Sequence, residues 1–266
     1  MWTTYFEALA VIISMGLITW LYSLYQRDVS IVDSLWSLMF LAASIVYVWQ
    51  APQTGLYTIV VFAMVAIWAL RLSIHLTVRN WDEQEDRRYQ EIRRNNEPHF
   101  GLKSLYIIFG LQGLLAWIIS IPLLFALFAR SGFHWLDGIA LGLWLIGFAF
   151  EAIADYQLLT FKKNPDNKGR VLDAGLWRYT RHPNYFGEFC IWWGFFLLAI
   201  PAGGWWTVYA PVLMSFLLLK VSGVVLMEKD ISTRRPEYQS YIDRTNAFFP
   251  GLPRSETSEI VKEQQS

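Results

Sequence analysis

Long apolar runs recur from one end of the chain to the other, and short polar or basic segments separate them. Each of these runs is near the ~20 residues that a helix needs to cross the hydrocarbon core of a bilayer. The pattern therefore predicts an all-α polytopic membrane protein, in which residues 1–254 form a single seven-helix domain. The seven predicted transmembrane helices cover residues 4–25, 31–49, 55–78, 104–129, 134–157, 185–203 and 205–227.

The two ends of the chain differ from each other in character. The first apolar run lacks a basic segment before it and a small-residue cleavage site, so we interpret it as a retained helix rather than a signal peptide. The last residues, "SETSEIVKEQQS" at 255–266, are polar and predict a disordered tail.

Composition agrees with this membrane assignment. Only 17% of the 266 residues are charged and 55% are hydrophobic, whereas soluble domains have about 25% charged residues. The single cysteine, Cys190, excludes an intramolecular disulfide, and the four histidines lack the spacing of metal ligands, so we expect no metal.

The basic residues predict the orientation of the chain. The loops on the N-terminal side contain one basic residue, Arg130, and the other 21 of the 22 lysines and arginines belong to the opposite side or to helix halves near it. Cytoplasmic loops carry an excess of Lys and Arg. We therefore expect the N-terminus outside and the C-terminus in the cytoplasm.

Ionisable side chains within the predicted helices concentrate in the cytoplasmic half. Such groups are costly at membrane depth, and they usually face the interior of the bundle or a water-filled cavity. The concentration favours a polar cavity that opens to the cytoplasm, although structural ion pairs and snorkelling side chains are the alternative. The residues are Asp33, Arg71, His75, Glu151, Asp155, Glu188, Lys220 and Glu228.

Two cytoplasmic loops differ in net charge. Six basic and six acidic residues cancel in the loop at 79–103, whereas six basic residues face only two acidic ones in the loop at 162–181, which leaves it at +4. Arginine forms bidentate pairs with phosphate oxygens. The loop at 162–181 therefore favours an anionic ligand with several phosphates, and anionic lipid headgroups are the competing partner.

The stretch "GLWRYTRHPNYFGE" at 175–188 predicts a turn at Gly175 followed by the start of a helix at Pro183. Proline suits the first turn of a helix because its missing N–H would be unpaired there. Asn184 and Tyr185 would then lie at the helix start, where free N–H groups favour negative ligand groups. Glu188 shares a helix face with Asn184 because they are four residues apart.

These motifs carry a resemblance to a known family. Glu151 and Asp155, "FKKNP" at 161–165, "GLWRYTRHPNYFGE" at 175–188 and "RPEYQSYIDRTNAFFPGLP" at 235–253 resemble the steroid 5-alpha-reductase C-terminal domain and its bacterial relatives. That superfamily also contains sterol reductases and isoprenylcysteine carboxyl methyltransferase. Earlier segments, "SIVDSLW" at 30–36, "WALRLSIHLTVRN" at 68–80 and "EDRRY" at 85–89, resemble the bacterial branch in particular.

The resemblance implies an NADPH-binding part at about 144–253. Residues that match the family's cofactor contacts or acidic positions are Asp155, Lys162, Leu172, Trp177, Asn184, Tyr185, Glu188 and Glu228. Charge and position add Arg170, Arg178 and Arg181 as candidates for the phosphates, since an Arg or Lys near the 2′-phosphate selects NADPH over NADH. The pocket would be a membrane cavity without a Rossmann fold.

The implied reaction is the reduction of an activated C=C bond, such as an enone, in a lipophilic, steroid- or isoprenoid-like substrate that enters from the bilayer. Such chemistry needs a donor beside the carbonyl oxygen. Animal steroid reductases use a Gln-Glu pair and a Tyr, which this sequence lacks; Asp33 and His75 are its candidates. Asp33 is alternatively a helix N-cap, and His75 is alternatively a structural residue.

Two other functions stay open. "RHPNY" and the tyrosine-rich C-terminal segment also resemble the methyltransferases that use S-adenosylmethionine, a cofactor without phosphates. A non-catalytic lipid-binding membrane protein is the second alternative. We expect membrane lipids and a small molecule as partners, no nucleic acid, and a bacterial inner membrane as the location.

Overall fold

The computed structural model of the protein describes residues 1–81, 83–221 and 237–254. All regular secondary structure in these residues is helical, which confirms the predicted all-α class. The principal helices are α1 (Trp2–Gln26), α2 (Ile31–Trp49), α3 (Leu56–Asn80), α4 (Arg87–Asn96), α5 (Phe100–Ile119), α6 (Ile121–Phe128), α7 (Leu136–Lys163), α8 (Pro183–Ala199), α9 (Trp205–Val221) and α10 (Glu237–Arg244).

Six helices of the described residues are long and apolar enough to cross a membrane, namely α1, α2, α3, α5, α7 and α8 with the short turn that follows it. The protein is therefore an integral membrane protein, and six of the seven predicted membrane helices have a counterpart of sufficient length and apolar character. The seventh prediction, 205–227, ends outside the described residues. Its described part, α9, is a shorter apolar helix, so this crossing stays a prediction, as does the disordered tail at 255–266.

Two predicted boundaries were wrong. The fourth predicted helix, 104–129, is interrupted at Ser120, where α5 ends and α6 begins with Pro122 in its first turn. Proline has no N–H to continue the hydrogen bonding of a preceding helix. The fifth, 134–157, continues to Lys163, because lysines in a last turn interact favourably with the helix dipole.

The chain divides into two compact units, with boundaries inside α7 and α8. The first unit comprises Met1–Ala140 and Phe195–Ala210, and the second comprises Leu141–Gly194 and the described residues from Pro211 onward. Most of the predicted cofactor-binding part, 144–253, belongs to the second unit.

In the first unit, α2 packs against α1, α3, α5 and α6. Its inward face buries Met39, Phe40 and Tyr47 completely. Two polar side chains at this depth are paired: the Tyr47 hydroxyl lies 2.7 Å from Ser120 Oγ, and Ser37 Oγ donates to the carbonyl oxygen of Ala69 at 2.8 Å. Pairing is necessary because an unpaired polar group is expensive where water is absent.

The outward residues of the first unit suit lipid. Ile13, Ile18 and Ile59 are exposed along the helices, and large aromatic side chains are exposed near the helix ends, including Trp49 at 87%. Aromatic side chains of this kind concentrate at the two membrane–water interfaces. The distribution is typical of helices that face lipid on one side.

The loop between α3 and α5 is organised by its own charges. Asp86 is the N-cap of α4, where its Oδ1 accepts a hydrogen bond from the Arg88 N–H at 2.9 Å. Arg93 pairs with Glu85 at 2.6 Å. The equal numbers of acidic and basic residues in this loop therefore build an internal structure.

Candidate functional site

The helices α7 and α8 approach each other at two glycines. A Cβ atom added to Gly147 would lie 2.5 Å from the carbonyl oxygen of Gly187, and one added to Gly187 would lie 2.5 Å from that of Gly147. Only residues without a side chain allow this approach. A Cβ atom added to Gly187 would also lie 2.8 Å from the Cβ of Glu151, so the buried residue Glu151 lies at this interface. Glu188, which is also buried, follows Gly187 on α8.

Asp155 and Asn184, which the sequence proposes as cofactor contacts, meet directly at this interface. Asn184 Nδ2 donates to Asp155 Oδ1 at 3.1 Å. One turn further along α8, the buried carboxylate of Glu188 accepts a hydrogen bond from Trp192 Nε1 at 3.0 Å. The structure thus brings Asp155, Asn184 and Glu188 together on one side of the α7–α8 pair.

The start of α8 has the predicted form. The helix begins at Pro183, and Gly175 has a positive φ of 62° in the turn before it. Asn184 therefore lies in the first turn, and its Oδ1 accepts a hydrogen bond from the Tyr185 N–H at 3.1 Å. The Tyr185 ring stacks on His182 with centroids 5.5 Å apart and an interplanar angle of 3°. The stack fixes the Tyr185 ring at the helix entrance.

Trp177 connects the loop before α8 to α7. Its indole N–H donates to the carbonyl oxygen of Ala154 at 3.1 Å, and the side chain is 9% exposed. Beside it, Gln157 Oε1 accepts a hydrogen bond from the Leu176 N–H at 3.0 Å. These two bonds hold the loop against the last turns of α7, next to Asp155.

A cationic cavity of about 410 Å³ lies at the end of α7 and the loop that follows. Lys162, Lys163 and Lys168 line it, together with Leu172 and the amides of Asn164 and Asn167. Within the described residues, the side chains of Lys163 and Lys168 make no hydrogen bond or ion pair, so their charges are available to a ligand. Sequence reasoning proposed Lys162 and Leu172 as ligand contacts but missed these two lysines, although their charge was counted in the loop.

The three arginines of this loop are placed differently. Arg170 and Arg178 are exposed, and Arg178 makes no hydrogen bond or ion pair with another described residue. Arg181 is only 8% exposed, and its Nη1 donates to the carbonyl oxygens of Thr245 at 2.6 Å and Ile242 at 3.2 Å. The structure therefore separates a solvent-facing arginine from one that is bonded to the C-terminal segment.

In the first unit, Asp33 belongs to a network of polar side chains. Asp33 is the third residue of α2, whose N-cap is Ser30, so the alternative that Asp33 is the N-cap is wrong. Asp33 Oδ2 pairs with Arg88 Nη2 at 2.8 Å, and its Oδ1 accepts a hydrogen bond from the Tyr89 hydroxyl at 2.6 Å. Both oxygens of Asp33 are thus acceptors, and the O–H of this pair belongs to Tyr89.

Tyr89 is a candidate that sequence reasoning missed, although the motif "EDRRY" at 85–89 contains it. The side chain is 7% exposed, and its oxygen also accepts a hydrogen bond from Gln112 Nε2 at 3.2 Å. Burial, and then the negative charge of Asp33, raise the pKa of Tyr89 well above its ordinary value. The phenol therefore keeps its proton across the physiological range.

The cation beside Tyr89 is fixed in its charged form. Burial acts to lower the pKa of Arg88, but the charges of Asp33 and Asp86 outweigh it and raise that pKa. Burial likewise acts to raise the pKa of Asp86, and the hydrogen bonds and charge of Arg88 hold it below its ordinary value instead. Asp33, Asp86 and Arg88 together form an ionic cluster next to the Tyr89 hydroxyl.

The remaining two candidates are less defined. His75 lies in the C-terminal half of α3 and is partly buried. Glu228 lies outside the described residues.

Comparison with known proteins assigns the chain to a family. Residues 19–245 match a family described as a protein of unknown function, DUF1295. The chain belongs to the DUF1295 family. DUF1295 proteins are part of the membrane superfamily of steroid 5-alpha-reductase-like and isoprenylcysteine methyltransferase-type enzymes, in agreement with the resemblance carried by "RHPNY" and the neighbouring motifs.

Two relatives of this DUF1295 chain are fungal. An uncharacterised protein of Schizosaccharomyces pombe is 25% identical over 267 residues, which cover 90% of this chain and 77% of the relative. A probable O-methyltransferase of Ustilaginoidea virens is 33% identical over 94 residues, which cover 35% of this chain and 31% of the relative. No solved structure matches.

Proposed function

We propose that the protein is an NADPH-dependent membrane reductase that reduces an activated C=C bond, such as an enone, in a lipophilic substrate. The cationic cavity at the end of α7 is the observation that carries this proposal. A dinucleotide with three phosphates matches the lysines of that cavity far better than a sulfonium ligand without phosphates does.

The residues present fit NADPH in chemical character. Lys162, Lys163 and Lys168 would hold phosphates, with Arg170 and Arg178 nearby in sequence on exposed positions. Asn184 and Tyr185 sit at a helix N-terminus, which favours negative ligand groups. The carboxylates of Asp155 and Glu188 would accept hydrogen bonds from ribose hydroxyls or the carboxamide. Glu228, which lies outside the described residues, belongs to the same proposal as a further acidic contact.

Bound NADPH would supply a hydride to the β carbon of the enone, and the protein must then supply a proton and stabilise the carbonyl oxygen. We assign this task to the Asp33–Tyr89 pair, in which Asp33 orients the phenol and Tyr89 carries the proton. His75 is the second candidate donor. A positioned proton donor contributes about 10²–10⁴-fold to such a reaction.

The orientation of the chain in the membrane is part of the same proposal. With 205–227 as a seventh crossing, the termini would lie on opposite sides of the membrane. The excess of basic residues favours a cytoplasmic C-terminus and a cytoplasmic cationic cavity, where NADPH is available. The proposed location, a bacterial inner membrane, rests on the sequence resemblance alone, since both relatives described above are fungal.

Ligand-induced thermal stabilisation of the detergent-purified protein tests the function. A ligand at 100 times its Kd adds about 2.7 kcal/mol to stability, so NADPH should raise the melting temperature more than NADH or S-adenosylmethionine. Arg178→Ala and Asn184→Ala should reduce the NADPH effect. Arg87→Ala, an exposed arginine on α4, is the matched control and should leave it unchanged.

A methyltransferase is the second candidate, and the partial match to a probable O-methyltransferase favours it. Stabilisation by S-adenosylmethionine alone would replace the reductase proposal with this one. If none of the three cofactors stabilises the protein and anionic lipids do, a non-catalytic lipid-binding protein would be favoured instead. A preference for NADPH would justify a screen of enone substrates.

A further inference from the structure

The C-terminal segment from α10 to Gly251 is hydrogen-bonded along the loop that leads into α8. The Tyr241 hydroxyl donates to the carbonyl oxygen of Trp177. The Gly251 N–H donates to the carbonyl oxygen of Tyr179 at 3.0 Å, and the Arg181 N–H donates to that of Asn246 at 2.9 Å. The two segments are more than sixty residues apart in sequence, so tertiary packing alone brings them together.

Buried side chains complete this contact. Thr180, which is fully buried, donates from Oγ1 to the carbonyl oxygen of Phe248 at 2.8 Å. The Arg181 guanidinium donates to Ile242 and Thr245 at the C-terminal end of α10. A cation at this end of a helix satisfies carbonyl groups that have no partner within the helix and interacts favourably with its dipole.

Most residues of the loop just before α8 are bonded to the C-terminal segment. Trp177, Tyr179, Thr180 and Arg181 are each bonded to the C-terminal segment, whereas the Arg178 side chain points to solvent and has no hydrogen bond or ion pair within the described residues. Two residues beyond Arg181, the chain enters α8 with Asn184 and Tyr185 in its first turn.

We propose that the segment 237–251 supports the nucleotide site by holding residues 177–181 in place. Arg181 is then a positioning residue that acts through Asn184 and Tyr185 instead of binding a phosphate. This inference rests on the proposed function. Its physical basis is that a loop already held in its bound conformation loses less conformational entropy when the ligand binds. The proposal gives a role to the motif "RPEYQSYIDRTNAFFPGLP" at 235–253, which contains this segment.

Variants of a phosphate-binding residue and variants of a positioning residue should differ in how their NADPH affinity depends on salt. A residue that contacts a phosphate makes the NADPH affinity depend on ionic strength, because salt screens the attraction between exposed charges. Arg178→Gln should therefore lower the affinity and flatten its salt dependence. Tyr241→Phe and Arg181→Gln should change the affinity and leave the salt dependence as in the wild type.

The experiment measures the Kd of NADPH for the full-length protein in detergent between low and high salt. Tyr241→Phe should weaken binding about three- to tenfold, because one hydrogen bond contributes about 0.5–1.5 kcal/mol and the variant carries no change of charge. Gln239→Ala is the matched control, since Gln239 lies exposed on the same helix and its side chain bonds, within the described residues, to Asp243 alone. It should bind NADPH as the wild type does.

Tyr241→Phe keeps the aromatic ring and the net charge of the protein, so it tests the support from the segment 237–251 even if Arg181→Gln fails to fold. Wild-type affinity in Tyr241→Phe, together with a flattened salt dependence in Arg181→Gln, would show that Arg181 binds a phosphate directly and would overturn the inference. Wild-type protein that does not bind NADPH at all would refute the proposed function itself, and the inference would fall with it.

Discussion

Gly147 and Gly187 face each other across the α7–α8 crossing, each close enough to the other's carbonyl oxygen to exclude a Cβ atom. The nearest atoms are backbone atoms of a packed helix, which do not move aside as the end of a flexible side chain does. This approach sets the distance between the helix that carries Glu151 and Asp155 and the helix that carries Asn184 and Glu188. The two glycines therefore determine the width of the candidate site.

Substituting either glycine should lower stability. We expect Gly187→Ala to reduce the free energy of unfolding by about 1–3 kcal/mol, the usual effect of forcing an extra methyl group into a packed interface. Thermal unfolding in detergent measures this change. Gly142→Ala is the control on α7, because a Cβ there meets nothing within 4 Å. Equal stability of Gly187→Ala and Gly142→Ala would mean that the helices do not cross this closely.

Gly175→Ala should damage the loop for two separate reasons. Its φ of 62° is unfavourable for a residue with a side chain, and an added Cβ would collide with the amide of Gln157. Gly169 also has a positive φ, of 87°, but its Cβ would meet nothing within 4 Å. Gly169→Ala should cost about 1 kcal/mol, and Gly175→Ala should cost more and also weaken NADPH binding. Comparison of the two melting temperatures and Kd values isolates the collision.

Tyr89→Phe should have a small effect on stability and a large effect on the rate of enone reduction. Loss of the hydroxyl removes the hydrogen bonds to Asp33 and Gln112, which lowers the free energy of unfolding by about 1 kcal/mol. If Tyr89 delivers the proton, enone reduction should fall by at least 10²-fold while the Kd of NADPH stays the same. Tyr106→Phe, at an exposed tyrosine, should change neither quantity. Full turnover in Tyr89→Phe would exclude Tyr89 as the donor and leave His75.

Acidification should weaken the cap of α4. The pKa of Asp86 is lower in the folded protein than in an unfolded chain, so its carboxylate contributes stability that is fully present above the unfolded value, near 3.9. That contribution is lost as the pH falls through the lower folded value. Melting temperatures of wild type and Asp86→Asn, measured from pH 6 to pH 3, should converge at the acidic end, because asparagine still caps a helix but has no charge. Parallel curves would contradict this role.

Local chemistry explains which features the sequence predicts correctly. The crossings at 31–49 and 185–203 follow from the length of apolar runs, and the start of α8 at Pro183 follows from the missing N–H of proline. The neutral loop at 79–103 and the basic loop at 162–181 are likewise local properties. None of these features needs a partner from a distant part of the chain.

The misplaced boundaries have local causes that compete with hydropathy. Residues 104–129 are apolar throughout, so hydropathy alone predicts one helix, yet Pro122 ends the hydrogen bonding near Ser120. The lysines at 162–163 read as loop residues by polarity, yet they complete the last turn of α7.

By itself, the sequence determined the all-helical membrane class, most of the crossings and the chemical types in the candidate site, because hydropathy and helix-start chemistry act over a few residues. The tertiary structure decided which charges are available. It pairs Asp33 with Arg88 and Tyr89, 55 and 56 residues away, and it bonds Arg181 to α10 while Arg178, three residues earlier, stays exposed. Neighbouring arginines have the same local pattern, so only the packing of distant segments distinguishes a structural arginine from a ligand-binding one.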